Sequence, residues 1–136
     1  MDANIILELL LGRGKAKECE ELLNKISKGK VEAIMTHFTV HAIESIMNDK
    51  ELILKFLRNL ESSVGLYVYD TDISDETAAA ILMEDIKRDF DDALQYYVAK
   101  KLGVKAIVSF DKHFDGLDTP RLEPKDVNES LSEANH

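Results

Sequence analysis

The sequence predicts an α/β fold: a three-layer α/β/α sandwich around a short, mostly parallel central sheet. Three observations predict it. Short apolar runs alternate with longer segments of helical period, so successive strands need crossover connections and come out parallel. Neither a repeat nor a long linker interrupts that alternation, and the only two prolines, Pro120 and Pro124, fall late. With 136 residues, 45% of them apolar, the chain is large enough to bury a core without disulfides.

Taken in order, residues 3–11 read as an apolar helix stopped by Gly12-Arg13-Gly14. Residues 15–28 form a second helix, with Cys19, Leu22, Leu23 and Ile26 on one face and Gly29 after its end. Residues 31–36 are a short strand, and 38–48 and 51–61 are helices with polar outer stripes. Leu66-Tyr67-Val68-Tyr69 is a strand of β-formers. Ser74 is the expected N-cap of a helix running to about 87, with acids in its first turn. Residues 91–102 form another helix closed by Gly103, and 105–109 a buried strand that runs into Phe110-Asp111. Pro120-Arg121-Leu122 is a last, very short strand. Residues 1–127 read as one domain and 128–136 as a polar tail that frays.

Composition excludes several classes of function. No apolar run approaches the ~20 residues that span a bilayer, and Met-Asp-Ala-Asn lacks the basic start of a secretory signal. Cys19 is alone, which rules out an internal disulfide or a cysteine-rich zinc site and makes an inert, buried thiol the expectation. A cytoplasmic protein fits best. The net charge of −9 argues against tight, sequence-independent nucleic-acid binding. The acids are clustered, however, at Asp70 to Asp85 and from Glu123 onward, leaving Arg13, Lys15, Lys17, Lys100, Lys101 and Lys105 for a local basic rim.

Four acidic signatures carry the chemistry, and each has an ordinary reading when taken singly. Asp111 follows Ala106-Ile107-Val108-Ser109-Phe110, so it emerges where a parallel strand ends and ligands gather. Alone it could simply cap a turn. Ser109 lies close enough to bond its carboxylate, and Phe114 would wedge the loop against the core. Asp92 complements the dipole at its helix start. Phe90, Ala93, Leu94, Tyr97 and Val98 face one way on that helix, and Asp92, Tyr96 and Ala99 the other. Glu44 shares a polar stripe with His37, His41 and Asn48, which could be no more than a solvated face. A protease-like zinc site is disfavoured there, because Phe38 and not a glutamate follows His37. Asp2 and Asn4 could cap the first helix. Asp2 joins the strand ends if a stub of strand precedes that helix. The Asp70-Thr71-Asp72 segment reads as a solvated loop.

As an ordered set, Asp2-Ala3-Asn4-Ile5-Ile6-Leu7, Glu44, Asp92-Ala93-Leu94 with Ala99, and Ser109-Phe110-Asp111 with Phe114 resemble the PIN-domain family. This family of metal-dependent ribonucleases includes the toxins of VapBC toxin–antitoxin pairs. The likeness covers Asp2 to about Val127, including Pro120-Arg121-Leu122-Glu123-Pro124 as a last strand. It implies a parallel sheet, usually five-stranded, with helices on both faces.

The resemblance also implies Mg²⁺ or Mn²⁺ as cofactor. Crowded carboxylates raise each other's pKa, and a hard divalent ion with oxygen ligands relieves the conflict. Asp2, Glu44, Asp92 and Asp111 are the expected catalytic and metal-binding residues, with Glu44 an alternative water-orienting group. Asp91 remains an alternative to Asp92, since the assignment rests on the Asp-Ala-Leu phase. Asn4 and Ser109 would orient carboxylates, and Arg13, Lys100 and Lys101 would hold RNA backbone on the strength of charge alone. Single-stranded or looped RNA is the expected substrate, and an antitoxin protein and a second copy of the chain are the expected partners. Ile53, Phe56, Leu57 and Leu60 would serve a homodimer or an intramolecular core equally well. The rival reading is a catalytically silent PIN-fold protein acting as an interaction or RNA-binding module. A phosphohydrolase is disfavoured, because no Asp-x-Asp-x-Thr nucleophile loop or glycine-rich phosphate cradle is present.

Overall fold

The computed structural model describes residues 1–134. Helix α1, Ala3–Leu10, is capped by the Asp2 carboxylate and buries Ile5, Ile6 and Leu7. Helix α2, Ala16–Ser27, buries Cys19, Leu22 and Ile26, three positions on one helical face. Burial lifts the Cys19 thiol to about 11, which makes it unreactive. Strand β1, Ala33–Thr36, leads directly into helix α3, His37–Met47, because the Thr36 hydroxyl accepts from Thr39 N and caps the first turn.

Helix α4, Lys50–Ser62, returns the chain to strand β2, Leu66–Tyr69. The return is tight at Gly65, where any side chain would collide with backbone: a Cβ there would lie 2.3 Å from Val31 O and 2.6 Å from Ile26 O. Helix α5, Ile73–Ile86, begins differently from the sequence expectation. Asp72 and not Ser74 is its N-cap, in a reciprocal capping box with Asp75. Helix α6, Phe90–Leu102, is capped by Asp89 and closed by Gly103 in the left-handed conformation (φ +68°). Strand β3, Ile107–Val108, a 3₁₀ turn at Lys112–Phe114, strand β4, Arg121–Leu122, and helix α7, Pro124–Ala134, complete the described residues. Residues 128–134 of the expected tail belong to α7, whose buried Asn128 donates to Glu18 O on α2. Residues 135–136 of that expected tail lie outside the described residues.

The strands are parallel, as expected, but they form two pairs instead of one continuous sheet. β1 pairs with β2 and β3 with β4. Each of the two carries its own core. Ile6, Leu7, Met35, Val40, Ile43, Met47 and Phe56 pack α1, α3 and α4 around β1. Phe56 is buried there and Ile53 and Leu60 are half-buried against it, so an intramolecular core takes up most of the face that could have served a dimer; Leu57 stays exposed. On the other side Tyr96, Ala99, Ile107 and Phe114 form a second cluster, and Ala79, Leu94 and Val98 join α5 to α6. The helices accordingly fall into two groups, α5 with α6 and the remainder packed in succession through α1 and α2.

Helix α6 does not have the two-sided character expected of it. Asp92, Ala93, Leu94, Gln95, Tyr96, Val98 and Ala99 are all buried, which is nearly the full circumference over two turns. A helix this enclosed has neighbours on every side, so Asp92 is held inside the molecule and not on an open polar face.

Candidate functional site

Parallel strands deliver their carboxyl ends to one edge, and three of the four predicted signatures meet there. Asp2 N donates to Val108 O (2.9 Å), which fixes Asp2 beside the end of β3. Its carboxylate, 8% exposed, accepts from the Ser109 hydroxyl (2.6 Å), the Gln95 amide (3.3 Å) and Ala3 N (2.7 Å).

Ser109 is the hub of this arrangement and is fully buried. A hydroxyl has one proton and two acceptor sites. The proton goes to Asp2, and the oxygen accepts from Asp111 N (2.9 Å) and Asn4 Nδ2 (3.3 Å). Asn4 must therefore present its amide nitrogen to Ser109, which turns its carbonyl oxygen away. Among the described residues Asn4 Oδ1 is the one buried side-chain polar atom without a hydrogen-bond partner. A buried acceptor with no donor carries a cost of about 1–3 kcal/mol, and a bound cation would remove it.

Asp92 and Asp111 approach each other through His113, whose Nδ1 lies 3.4 Å from Asp92 Oδ2 and 3.2 Å from Asp111 Oδ2. The 3₁₀ turn that carries His113 is pinned from both sides. Asp111 Oδ1 accepts from His113 N (2.9 Å), and the fully buried Phe114 anchors the loop to the core beside Tyr96 and Ile107. Arg88 ties the same turn to the end of α5 through His113 O and Asp115 O.

The electrostatics are those of carboxylates crowded without compensation. Burial, then the charges of Asp89, Asp111 and Asp91, push Asp92 from 3.8 up to about 6, against a smaller opposing effect of His113. Asp91 is also raised, by burial and by the Asp2 charge, although Gln95 donates a long bond to it (3.5 Å). Both members of the Asp91/Asp92 pair thus belong to the cluster: Asp92 faces Asp111, and Asp91 reaches Asp2 through Gln95. Gln95, His113 and Asp89 were not singled out by sequence. Gln95 lies one helical turn beyond Asp91 and Asp92, which is the available signal.

Two groups of expected site residues stand apart. Glu44, on α3, pairs with His41 (3.0 Å), whose ring stacks on His37; His37 in turn meets Asp70. Among the described residues no contact ties Glu44 to Asp2, Asp92 or Asp111. Lys100 and Lys101 lie at the far end of α6, eight or nine residues and so about 12–14 Å from Asp92 along the axis. Lys100 pairs with Asp118 (3.0 Å), and Lys101 with Asp75 (2.7 Å) and Tyr69 (2.8 Å). Arg13 is exposed in the turn after α1. Lys15 pairs with Glu123 (3.1 Å) and lies over the Phe110 ring (5.0 Å), next to Asp111 in sequence, and Lys112 follows Asp111 directly.

Among the described residues no three His, Cys, Asp or Glu side chains converge closely enough to hold a metal ion as they stand. The donor chemistry nevertheless suits a hard cation. Asp2, Asp92, Asp111 and the orphaned Asn4 Oδ1 are all oxygen donors, the kind that Mg²⁺ and Mn²⁺ prefer. Asp2 is held by Ser109 and Gln95.

Among the described residues no helix is long and apolar enough to cross a membrane. Comparison with curated proteins gave no match. A solved structure described as a toxin-antitoxin complex from Klebsiella pneumoniae has a similar fold. Its TM-score is 0.71 at 14% identity, over 90% of this chain and 94% of that one. The profile of the PIN domain matches residues 1–120, which include every residue of the carboxylate cluster. The chain belongs to the PIN domain family.

Proposed function

We propose that this chain is a divalent-metal-dependent endoribonuclease. The observation that carries the reading is the Ser109 hub, which draws Asp2, Asn4 and the Asp111 backbone together and leaves the Asn4 carbonyl oxygen buried and free. Asp2, Asp92 and Asp111 would hold Mg²⁺ or Mn²⁺, with Asn4 Oδ1 as a neutral fourth donor. When bound, the ion supplies Lewis-acid charge neutralisation at the phosphodiester and acidifies water.

The chain's own residues do the rest. Ser109 and Gln95 fix the Asp2 carboxylate, so that it is oriented before substrate arrives. Asp111 is held by its backbone bond to Ser109 and by its cap to His113 N. Glu44 either joins the donors or orients the attacking water, which requires it to leave His41 for the cluster. Lys15 and Lys112 are better placed than Lys100 and Lys101 to meet the phosphate backbone. Single-stranded or looped RNA presents that backbone most openly.

A toxin role, with an antitoxin as partner in the cytoplasm, draws support from the fold likeness to a toxin-antitoxin complex. The second reading, a PIN-fold protein that no longer cleaves, draws support from the net charge of −9. Cleavage of an RNA panel with and without Mn²⁺, together with calorimetric titration of the metal, separates them. Mn²⁺-dependent cleavage that Asp111→Asn abolishes supports the nuclease. Absence of divalent binding supports the silent module.

A further inference from the structure

The parallel register of β1 and β2 sets Thr36 against Tyr69. The residues that follow them, His37 and Asp70, leave the strand ends side by side, and His37 Nδ1 lies 2.5 Å from Asp70 Oδ1. His41 stands one helical turn further along α3, on the same face. Its Nδ1 lies 3.0 Å from Glu44 Oε1. The two rings stack, 17° from parallel, with centroids 4.6 Å apart. The helix that carries them is fixed at its start by the Thr36 cap and by Phe38, which packs edge-on against Phe90 of α6 (6.0 Å).

Each carboxylate decides the chemistry of its ring. A carboxylate only accepts, so the Nδ1 beside it carries the proton, and in a neutral imidazole the free lone pair is then on Nε2. Among the described residues neither Nε2 has a hydrogen-bond partner. Both rings are open to solvent, with 46% and 70% of the side chains exposed. This is the arrangement of a metal-bound histidine, in which an acidic partner on one nitrogen fixes the ring and raises the basicity of the other. It occurs here twice, on stacked rings at the i, i+4 spacing with which a helix chelates zinc.

We propose that His37 and His41 form a binding site for a late first-row divalent ion such as Zn²⁺, held through the two Nε2 atoms. Asp70 and Glu44 are the orienting partners. The pair supplies two ligands, and water completes the coordination. Imidazole nitrogen suits these ions, whereas Mg²⁺ takes oxygen. The site thus differs in donor and in ion from the cluster of Asp2, Asp92 and Asp111. It is independent of the nuclease reading, because none of those three carboxylates takes part.

The test titrates the whole chain with Zn²⁺ in the presence of excess Mg²⁺, by calorimetry and by NMR of the histidine rings. The ring signals of His37 and His41 should move together. His37→Gln or His41→Gln removes a ligand and should weaken binding at least as much as Glu44→Gln or Asp70→Asn, which remove an orienting partner and should cost about tenfold. Asp111→Asn should keep the site, so a failure here leaves the nuclease reading standing. Absence of Zn²⁺ binding would overturn the proposal, as would unchanged Zn²⁺ affinity in both His37→Gln and His41→Gln. Movement of the His113 ring without those of His37 and His41, or loss of Zn²⁺ binding in Asp111→Asn, would also overturn it, because the ion would then sit at the carboxylates.

Discussion

Replacing Asp92 with asparagine should make the metal-free protein more stable at neutral pH. The carboxyl is 7% exposed, and its pKa rises from 3.8 to about 6 because burial and three neighbouring aspartates oppose its charge. A rise of that size sets a ceiling of about 3 kcal/mol on the penalty. Water reaches the partners, with Asp111 and His113 side chains 36% and 66% exposed, so roughly half that is realistic. The favourable first-turn position on α6, about 0.3–1 kcal/mol, is lost with the charge. A net gain of about 1 kcal/mol remains, which for 136 residues is a Tm increase of about 3–4 °C. The folded state binds the extra proton between the two pKa values, so the penalty is absent below about pH 4, builds as pH rises to about 6 and is full above that. Thermal unfolding of both proteins in EDTA at pH 4 and pH 7.5 measures this. The advantage of Asp92→Asn should be present at pH 7.5 and absent at pH 4. An asparagine variant less stable than wild type at pH 7.5, or equally advantaged at both pH values, would refute the argument. With saturating Mn²⁺ the order should invert, because ligand at 100 times Kd adds about 2.7 kcal/mol to whichever protein binds it.

Ser109→Ala removes the donor to Asp2 and the acceptor for Asp111 N and Asn4, and should cost about 1–3 kcal/mol in urea unfolding while weakening Mn²⁺ affinity in calorimetry. Asp75→Ala loses the reciprocal half of the α5 capping box, its acceptance from Asp72 N, and the buried acceptor of Tyr69 and Lys101, so a loss of about 1–2 kcal/mol is expected. The Lys101 hydrogen bond holds Asp75 below the usual carboxylate range, so its contribution is present above about pH 4 and fades as pH falls further, and unfolding at pH 7 and pH 2.5 should show the variant's deficit shrinking in acid. Gly65→Ala forces a Cβ against Val31 O and Ile26 O, and about 1–3 kcal/mol of destabilisation should appear as a lower unfolding midpoint with unchanged m-value.

The elements were legible in the sequence because their signals are local. Periodicity placed α2 through Cys19, Leu22 and Ile26, and the Leu66–Tyr69 run placed β2 to the residue. The α5 cap was not, because Asp72, Ser74 and Asp75 are all capping types within four residues, and only the reciprocal bond to Asp75 decides between them. The splitting of the sheet was not legible either, since β3 is two residues long and its extent depends on neighbours that no local pattern encodes. In the site, Asp111 and Ser109 could be read from the strand end they follow, and Asp2 and Asn4 only through the resemblance to the PIN-domain family. Gln95 and His113 could not, because an amide one turn along a helix and a histidine in a turn have many commoner uses.

The carboxylate cluster is a local conflict in a chain whose other choices agree with one another. Asp89, Asp91 and Asp92 stand together at the start of α6, and each is favoured there by the helix dipole. The fold then brings Asp111, which follows β3, and Asp2, held beside the end of β3, towards them, and burial first and these neighbouring charges second raise the pKa values of Asp91 and Asp92. A purely structural use would not need this. A single cap at Asp89, already bonded to Asp92 N, satisfies the helix. Burial and neighbouring charges oppose ionisation of Asp91 and Asp92, and Ser109 gives its only proton to Asp2 while the Asn4 oxygen is left buried and unmatched. This local conflict is what supports the proposed cation site, and a divalent ion that binds without stabilising the chain would remove that support.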